Sequence, residues 1–255
     1  MRLRLSSGLA RLGRVRVATA CGAVALAVLA GCGGGHRADI RYQVAGHEQA
    51  AIPGPPGAPL LVLLHSHGAD PGGFITKELV AALRRLGPRA PSVVIPDGGR
   101  DSYWHNRRSG RWGTYVLQQV IPAAVRRLHA DPRRVAIGGI SMGGFGALDA
   151  ARIAPHRFCA VGGHSAALWR TGAETPQGAF DDAEDFARND VLHLPFRYRG
   201  PLWIDVGKDD PFRSADVEFA RTHGARLHVW PGGHHWTYWN AHWDDYLRFY
   251  VSSCR

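Results

Sequence analysis

The sequence predicts an α/β fold, a mostly parallel central sheet with helices on both faces, formed by a single domain over residues 38–255. Two observations carry this. From about residue 38, short apolar runs of strand length alternate with longer amphipathic stretches of helix length, and alternating β and α units build parallel sheets covered on both sides. No repeat and no second domain interrupts the alternation. The strand-like runs are, in order, Pro59–His65, Ser92–Pro96, Val135–Ile140, Phe158–Gly162, Leu202–Val206 and Arg226–Trp230. Helix candidates lie near 75–86, 114–129, 142–153, 211–222 and 236–251, with Pro122 starting or kinking the second. In the last of them Trp236, Trp239, Trp243, Tyr246 and Tyr250 recur at helical spacing, which marks a buried face. Residues 166–199 are less regular and read as an inserted loop or lid-like excursion. Their acids Asp181, Asp182, Glu184 and Asp185 suit a solvated helix start better than a calcium loop, whose spacing they do not match.

Composition narrows the function classes. With 255 residues, 45% of them hydrophobic and 20% charged, the chain can bury a substantial core. That excludes a disordered tail protein, and the lack of an eighteen-residue apolar run beyond the N-terminus excludes a polytopic membrane protein. The formal charge of +10 would suit a nucleic-acid partner, yet Arg2, Arg4, Arg11, Arg14 and Arg16 all stand in the first 31 residues. Without them, 26 basic residues face 21 acidic ones, scattered in pairs such as Arg84 and Arg85 rather than in a stripe. No nucleic-acid partner is expected.

Residues 1–16 are basic and 17–30 apolar, a combination too short for a bilayer span and right for an export signal. The segment ends in Leu29-Ala30-Gly31-Cys32, which resembles the lipobox of bacterial lipoproteins. Residues 1–31 are therefore expected to be a lipoprotein signal peptide, Cys32 the lipidated first residue, and 32–37, rich in glycine, a flexible tether. The alternative is ordinary signal cleavage with an incidental cysteine. Export would put the domain on the extracytoplasmic side of the cell envelope, anchored by more than one hydrocarbon chain. Cys159 and Cys254 then remain as an even pair, either a disulfide or two buried thiols.

The most specific chemical signal is Gly139-Ile140-Ser141-Met142-Gly143, which follows an apolar strand and precedes a helical run. In that context G-x-S-x-G is a nucleophile elbow, a tight strand-to-helix turn that needs glycine flanks and lifts a serine hydroxyl out of the sheet edge. Ser141 is the candidate nucleophile. The order serine, acid, histidine is met downstream. Asp210 follows the 202–206 run, with Asp209 the alternative and Asp205 third because it lies inside the strand. A helix N-cap is the competing role for either loop aspartate. The next strand runs into Gly232-Gly233-His234-His235, which presents two candidate bases. Oxyanion donors are assigned to the backbone N–H groups of Met142, at the positive end of a helix, and His67, in the loop after Pro59–His65. His65 and His67 could suggest a metal, but no third ligand stands at a recognisable spacing, so neither metal nor organic cofactor is expected.

The motifs GGISMGGFGAL (Gly138–Leu148), IDVGKDDPF (Ile204–Phe212) and GGHHWTYW (Gly232–Trp239) together resemble the esterase D branch of the α/β-hydrolases. That branch includes S-formylglutathione hydrolases, feruloyl and other carbohydrate esterases, and mycolyltransferases, and the likeness runs from about 58 to 250. Likeness to the family's G-H-x-W pattern makes His234 the base, and an H-W-x-Y alignment makes it His235. Ser66 and His67 depart from the family's usual oxyanion segment, which alters pocket shape more than a main-chain donor. The resemblance also sets Tyr103, Trp104, His105 and Asn106, with Trp112, near the acyl or alcohol pocket, core packing being the alternative. Trp236 is a further pocket candidate against its place on the buried helical face. The expectation is an exported serine hydrolase of carboxylic esters, whether small, polysaccharide or lipid, working through an acyl-enzyme. Its alternatives are an acyltransferase to a sugar or lipid alcohol, and a non-catalytic surface-binding lipoprotein that keeps the fold.

Overall fold

Six continuous apolar runs cannot each face water on one side, and the computed structural model, which describes residues 39–255, gathers them into one eight-stranded sheet. The expected signal segment, Cys32, the expected tether and the first residue of the expected domain, 38, lie outside the described residues. The strands are β1 (Ile40–Val44), β2 (His47–Ile52), β3 (Pro59–Leu64), β4 (Ser92–Pro96), β7 (Asp131–Ile140), β8 (Ala160–His164), β9 (Leu202–Gly207) and β10 (Arg226–Trp230). A two-residue hairpin, β5 (Asn106–Arg107) and β6 (Gly110–Arg111), stands apart. The sheet order is β1-β2-β4-β3-β7-β8-β9-β10. From β4 to β10 the neighbours are parallel, and β1 and β2 add an antiparallel edge.

Alternation along the strands sends side chains to two cores. Leu60, Val62 and Leu64 of β3 pack beneath α2 (Trp112–Tyr115), α3 (Ile121–Arg127), α4 (Met142–Ile153) and α6 (Arg213–His223). Leu61 and Leu63 face α1 (Lys77–Leu86), α7 (Trp236–Ala241) and α8 (Trp243–Ser253). The sheet, both cores and a disulfide between Cys159 and Cys254 lie within Arg37–Arg255, one compact unit, so this segment holds the interactions that fold it. The disulfide spans a sequence separation of 95, and in the chain-entropy description such a loop stabilises by about 4–5 kcal/mol. Among the described residues no helix is long and apolar enough to cross a membrane.

Four expectations need correction. β1 and β2 were not foreseen, because the edge strand β1, IRYQV, alternates half-buried and exposed residues, and β2, HEQAAI, opens on three polar residues although its last four are buried. The run Phe158–Gly162 is displaced to Ala160–His164. Pairing extends to His164, whose ring is hidden by partners rather than by apolarity. The helix near 114–129 starts at Trp112 and passes through a π-helical stretch, Val116–Val120, just ahead of Pro122. Proline has no N–H for the ladder, and a π-turn absorbs the mismatch. The helix expected over 236–251 is two helices, broken at His242 with ψ 5°.

The irregular 166–199 segment is clamped rather than loose. The Arg107 guanidinium holds Asp181 at 3.0 Å together with the carbonyls of Gly178 and Ala179, while Asp182 caps the short α5 (Ala183–Arg188). The acids are thus taken up by the β5–β6 hairpin and a helix start.

Candidate active site

Ser141 stands between β7 and α4 with φ 57° and ψ −114°, a left-handed conformation that non-glycine residues adopt only when their surroundings enforce it. Here they do. The Ser141 N–H donates to the His164 carbonyl at 3.0 Å, and the Ser141 carbonyl accepts from Ala167 at 3.0 Å. The flanking glycines are required by contact. A Cβ on Gly143 would stand 2.0 Å from the Leu64 carbonyl oxygen, and one on Gly139 would meet the Gly143 backbone at 2.3 Å. Gly143→Ala is therefore expected to displace the elbow from β3 and cost more than about 3 kcal/mol, read as a fall in the denaturant midpoint. An unchanged midpoint would contradict the tight turn.

The other two residues arrive on adjacent loops at the same strand ends. Asp210 follows β9 and His234 follows β10. His234 Nε2 lies 2.8 Å from Ser141 Oγ, and His234 Nδ1 lies 2.9 Å from Asp210 Oδ2. Asp210 Oδ1 accepts from the Phe212 N–H at 2.9 Å. The helix N-cap role that competed for this aspartate falls to Phe212, which precedes α6, and the second Asp210 oxygen makes a local turn bond. Asp210 is buried, and the His234 side chain keeps 24% of its exposure, which leaves the serine hydroxyl reachable.

The alternatives take other positions. His235 is exposed, and its ring caps α7 by accepting from the Tyr238 N–H. The Asp209 side chain is exposed, and its backbone N–H donates to the Gly232 carbonyl. The Met142 N–H opens α4, where the first amides have no partner inside the helix. His67 is exposed on the loop after β3, while His65 is buried beneath it. His65 Nε2 accepts from the Gly98 N–H at 3.2 Å and Nδ1 faces the Ser66 carbonyl at 3.0 Å, so two loops are tied to one ring. Burial holds that ring below the ordinary pKa of 6.5, in keeping with a neutral acceptor. Among the described residues no group of three or more His, Cys, Asp or Glu is gathered for a metal.

Two pocket assignments are corrected. Trp104 is 2% exposed and His105 fully buried, so neither lines an open pocket. The Trp104 Nε1 donates to the His65 carbonyl at 3.1 Å, and its ring fills the spaces left by Gly98 and Gly146. His105 Nε2 pairs with Asp185 at 2.9 Å. Trp112 packs on His47 and Tyr115, and Trp236 is half-buried against Phe74 and Trp239. An arc of ring contacts leads away from His234, in which Tyr103, expected near the pocket, and Trp169 are themselves buried while Phe212 is half-buried. Phe212 lies 5.1 Å from His234, Trp169 5.6 Å from Phe212, Tyr103 5.3 Å from Trp169, and His67 6.3 Å from Tyr103. Phe212 was visible within IDVGKDDPF. Trp169 sits in an irregular segment that carries no periodic signal.

Beneath this surface lies a buried network that sequence reasoning did not find. Asp205 accepts from Trp203 Nε1 (2.8 Å), Tyr238 OH (3.1 Å) and Tyr246 OH (2.7 Å), and lies 2.5 Å from His164 Nδ1. Asp216, in the first turn of α6, is fully buried, its carboxyl facing the Ala166 amide without a well-formed hydrogen bond. Burial first, then the charges of Asp210 and Asp205, push its pKa well above 3.8. The folded chain then holds a proton that the unfolded chain releases near pH 3.8, so stability is complete below that pH and declines as pH rises towards the folded value. Asp216→Asn, which cannot ionise, should gain in melting temperature over the parent as pH is raised from 4 to 7. A difference independent of pH would contradict the assignment.

The family model described as "Putative esterase" matches residues 53–250. A curated relative, "Esterase Rv1288" of Mycobacterium tuberculosis, is 32% identical over 114 residues, which is 42% of this chain. The match spans about a quarter of that relative's length, 25%. Among solved structures, the fluorophosphonate-binding serine hydrolase FphF of Staphylococcus aureus superposes with a TM-score of 0.71 at 18% identity, covering 84% of this chain and 97% of that one. An S-formylglutathione hydrolase from Agrobacterium tumefaciens gives 0.69 at 18% identity, covering 85% and 95%. At that identity the structures share the fold.

Proposed function

The chain belongs to the esterase family, and from that premise we propose that it is an exported, membrane-tethered serine hydrolase that cleaves carboxylic esters through Ser141, His234 and Asp210. The observation that supports this reading most is the unbroken hydrogen-bond chain from Asp210 to His234 to Ser141, at 2.9 and 2.8 Å. In the reaction, His234 Nε2 takes the serine proton as Oγ attacks the ester carbonyl, and the Asp210 carboxylate steadies the imidazolium that forms. The Met142 and His67 N–H groups receive the developing oxyanion. His234 then gives its proton to the leaving alcohol. Water, deprotonated by the same ring, resolves the acyl-enzyme and restores Ser141. The half-buried Phe212 ring, 5.1 Å from the His234 ring, supports an acyl group short or flat enough to lie against it.

The tether rests on the basic leader, the apolar stretch and Cys32 in the sequence. Mass analysis of the mature N-terminus tests it: a diacylglyceryl-modified Cys32 supports the anchor, and an unmodified one removes it. Product analysis with a series of nitrophenyl esters, with and without an added sugar alcohol, tests the reaction. Free acid as the main product in both cases is expected, and a dominant sugar ester would make the protein an acyltransferase.

A further inference from the structure

A cavity of about 1050 Å³ lies at the opposite edge of the sheet from Ser141, where β3, β9 and β10 begin. Its lining includes Arg85, Arg89, Arg134, Arg226, Arg248 and Arg255, against only two acids, Asp244 and Asp245. Those acids are already engaged. Asp244 takes Arg85 through two hydrogen bonds of 2.9 and 2.7 Å, and Asp245 faces Arg248 at 3.5 Å. Arg134 is held by Asp131 at 2.9 Å from outside the cavity.

Arg89, Arg226 and Arg255 remain. Among the described residues none of the three has an Asp or Glu side chain within 4.0 Å, and residues 1–38 contain no acid that could supply one. The Arg226 guanidinium lies 5.1 Å over the Trp203 ring, which occupies its face and leaves its N–H edge for an acceptor. Trp203 and Phe249, with ring centroids 5.2 Å apart, add an apolar floor. Uncompensated guanidinium groups around an amphipathic recess match an anion with an apolar part, because the planar fork binds phosphate oxygens in pairs.

The location favours a lipid over a soluble anion. β1 runs antiparallel to β2, and β2 antiparallel to β4, so the chain enters the domain at Ile40 from the same strand-start edge that carries the groove. We propose that the groove binds the phosphate headgroup of an anionic phospholipid, with Arg89, Arg226 and Arg255 on the phosphate and the glycerol end against Trp203 and Phe249. That this edge faces a membrane rests on the tethered reading above. The headgroup contact itself does not need the anchor.

The test uses residues 37–255, which lack Cys32, titrated by calorimetry with dihexanoyl-phosphatidylglycerol, dihexanoyl-phosphatidylcholine and inorganic phosphate. Phosphatidylglycerol should bind about tenfold or more tighter than either of the others, and weaken as salt is raised. Replacing Arg89, Arg226 and Arg255 together with alanine should weaken it by about tenfold or more while hydrolysis of a soluble ester stays unchanged. Because Arg226 also covers Trp203, a second variant, Arg89→Glu with Arg255→Glu, keeps that packing and should show the same loss. Equal affinity for both lipids, full binding by either variant, or no binding at all would overturn the proposal. Inorganic phosphate binding as tightly as the lipid would overturn the choice of an amphiphile. Failure here leaves a lipidated Cys32 standing, and an unmodified Cys32 leaves the groove standing, so the two ideas fail separately.

Discussion

Ser141→Ala is expected to lower ester turnover by about 10⁴- to 10⁶-fold, the range seen when one member of such a unit is removed. The melting temperature should hold to within a few degrees. Among the described residues the hydroxyl's one side-chain partner is His234 Nε2, at 2.8 Å, and the bonds that enforce the left-handed backbone come from main-chain atoms of His164 and Ala167, which alanine keeps. Steady-state kinetics and calorimetry on the same preparation check both halves. Losses from His234→Ala or Asp210→Asn added to Ser141→Ala should be far from additive, because each residue acts through the next. Full activity in Ser141→Ala would remove the serine from the reaction.

Asp205→Ala should have the largest effect on stability. The carboxylate lies wholly buried within hydrogen-bond reach of Trp203, Tyr238, Tyr246 and His164. Burial and the Asp205 charge together push the Tyr246 hydroxyl well above its ordinary pKa, so it stays a donor. Alanine would leave these buried groups without their acceptor, at a cost of about 3–5 kcal/mol. Against a typical domain stability of about 5–15 kcal/mol, that corresponds to a fall in melting temperature on the order of 10 °C. Thermal unfolding followed by circular dichroism measures it, and an unchanged midpoint would show that the network contributes nothing. Asp205→Asn, which keeps one acceptor oxygen, should lie between the two.

Much of the site was legible in the sequence because its chemistry demands local patterns. A serine on a strained turn needs glycines at Gly139 and Gly143, and the acid and base follow parallel strands in loops rich in glycine and aspartate. The helix starting at Met142 appeared in full because its apolar residues and both boundaries agree. Residues whose roles depend on distant partners were not legible. Asp205 looked like a misplaced strand aspartate until β8, α7 and α8 brought His164, Tyr238 and Tyr246 to it, beside Trp203 on its own strand. Trp104 and His105 carry the composition of a pocket, yet tertiary packing buries them, Trp104 against the His65 carbonyl and His105 against Asp185. The edge strand β1 escaped because it alternates half-buried and exposed residues too briefly to stand out from loop, and β2 escaped because it buries the polar Gln49 beside short apolar residues.

The proposed reaction depends on an activated serine at position 141. Treating residues 37–255 with a fluorophosphonate probe and mapping the adduct by mass spectrometry tests it directly, with Ser141→Ala as control. One adduct per chain, on Ser141 and absent from the control, is the expected result. A folded chain that takes up no probe, or takes it up elsewhere, would contradict the account.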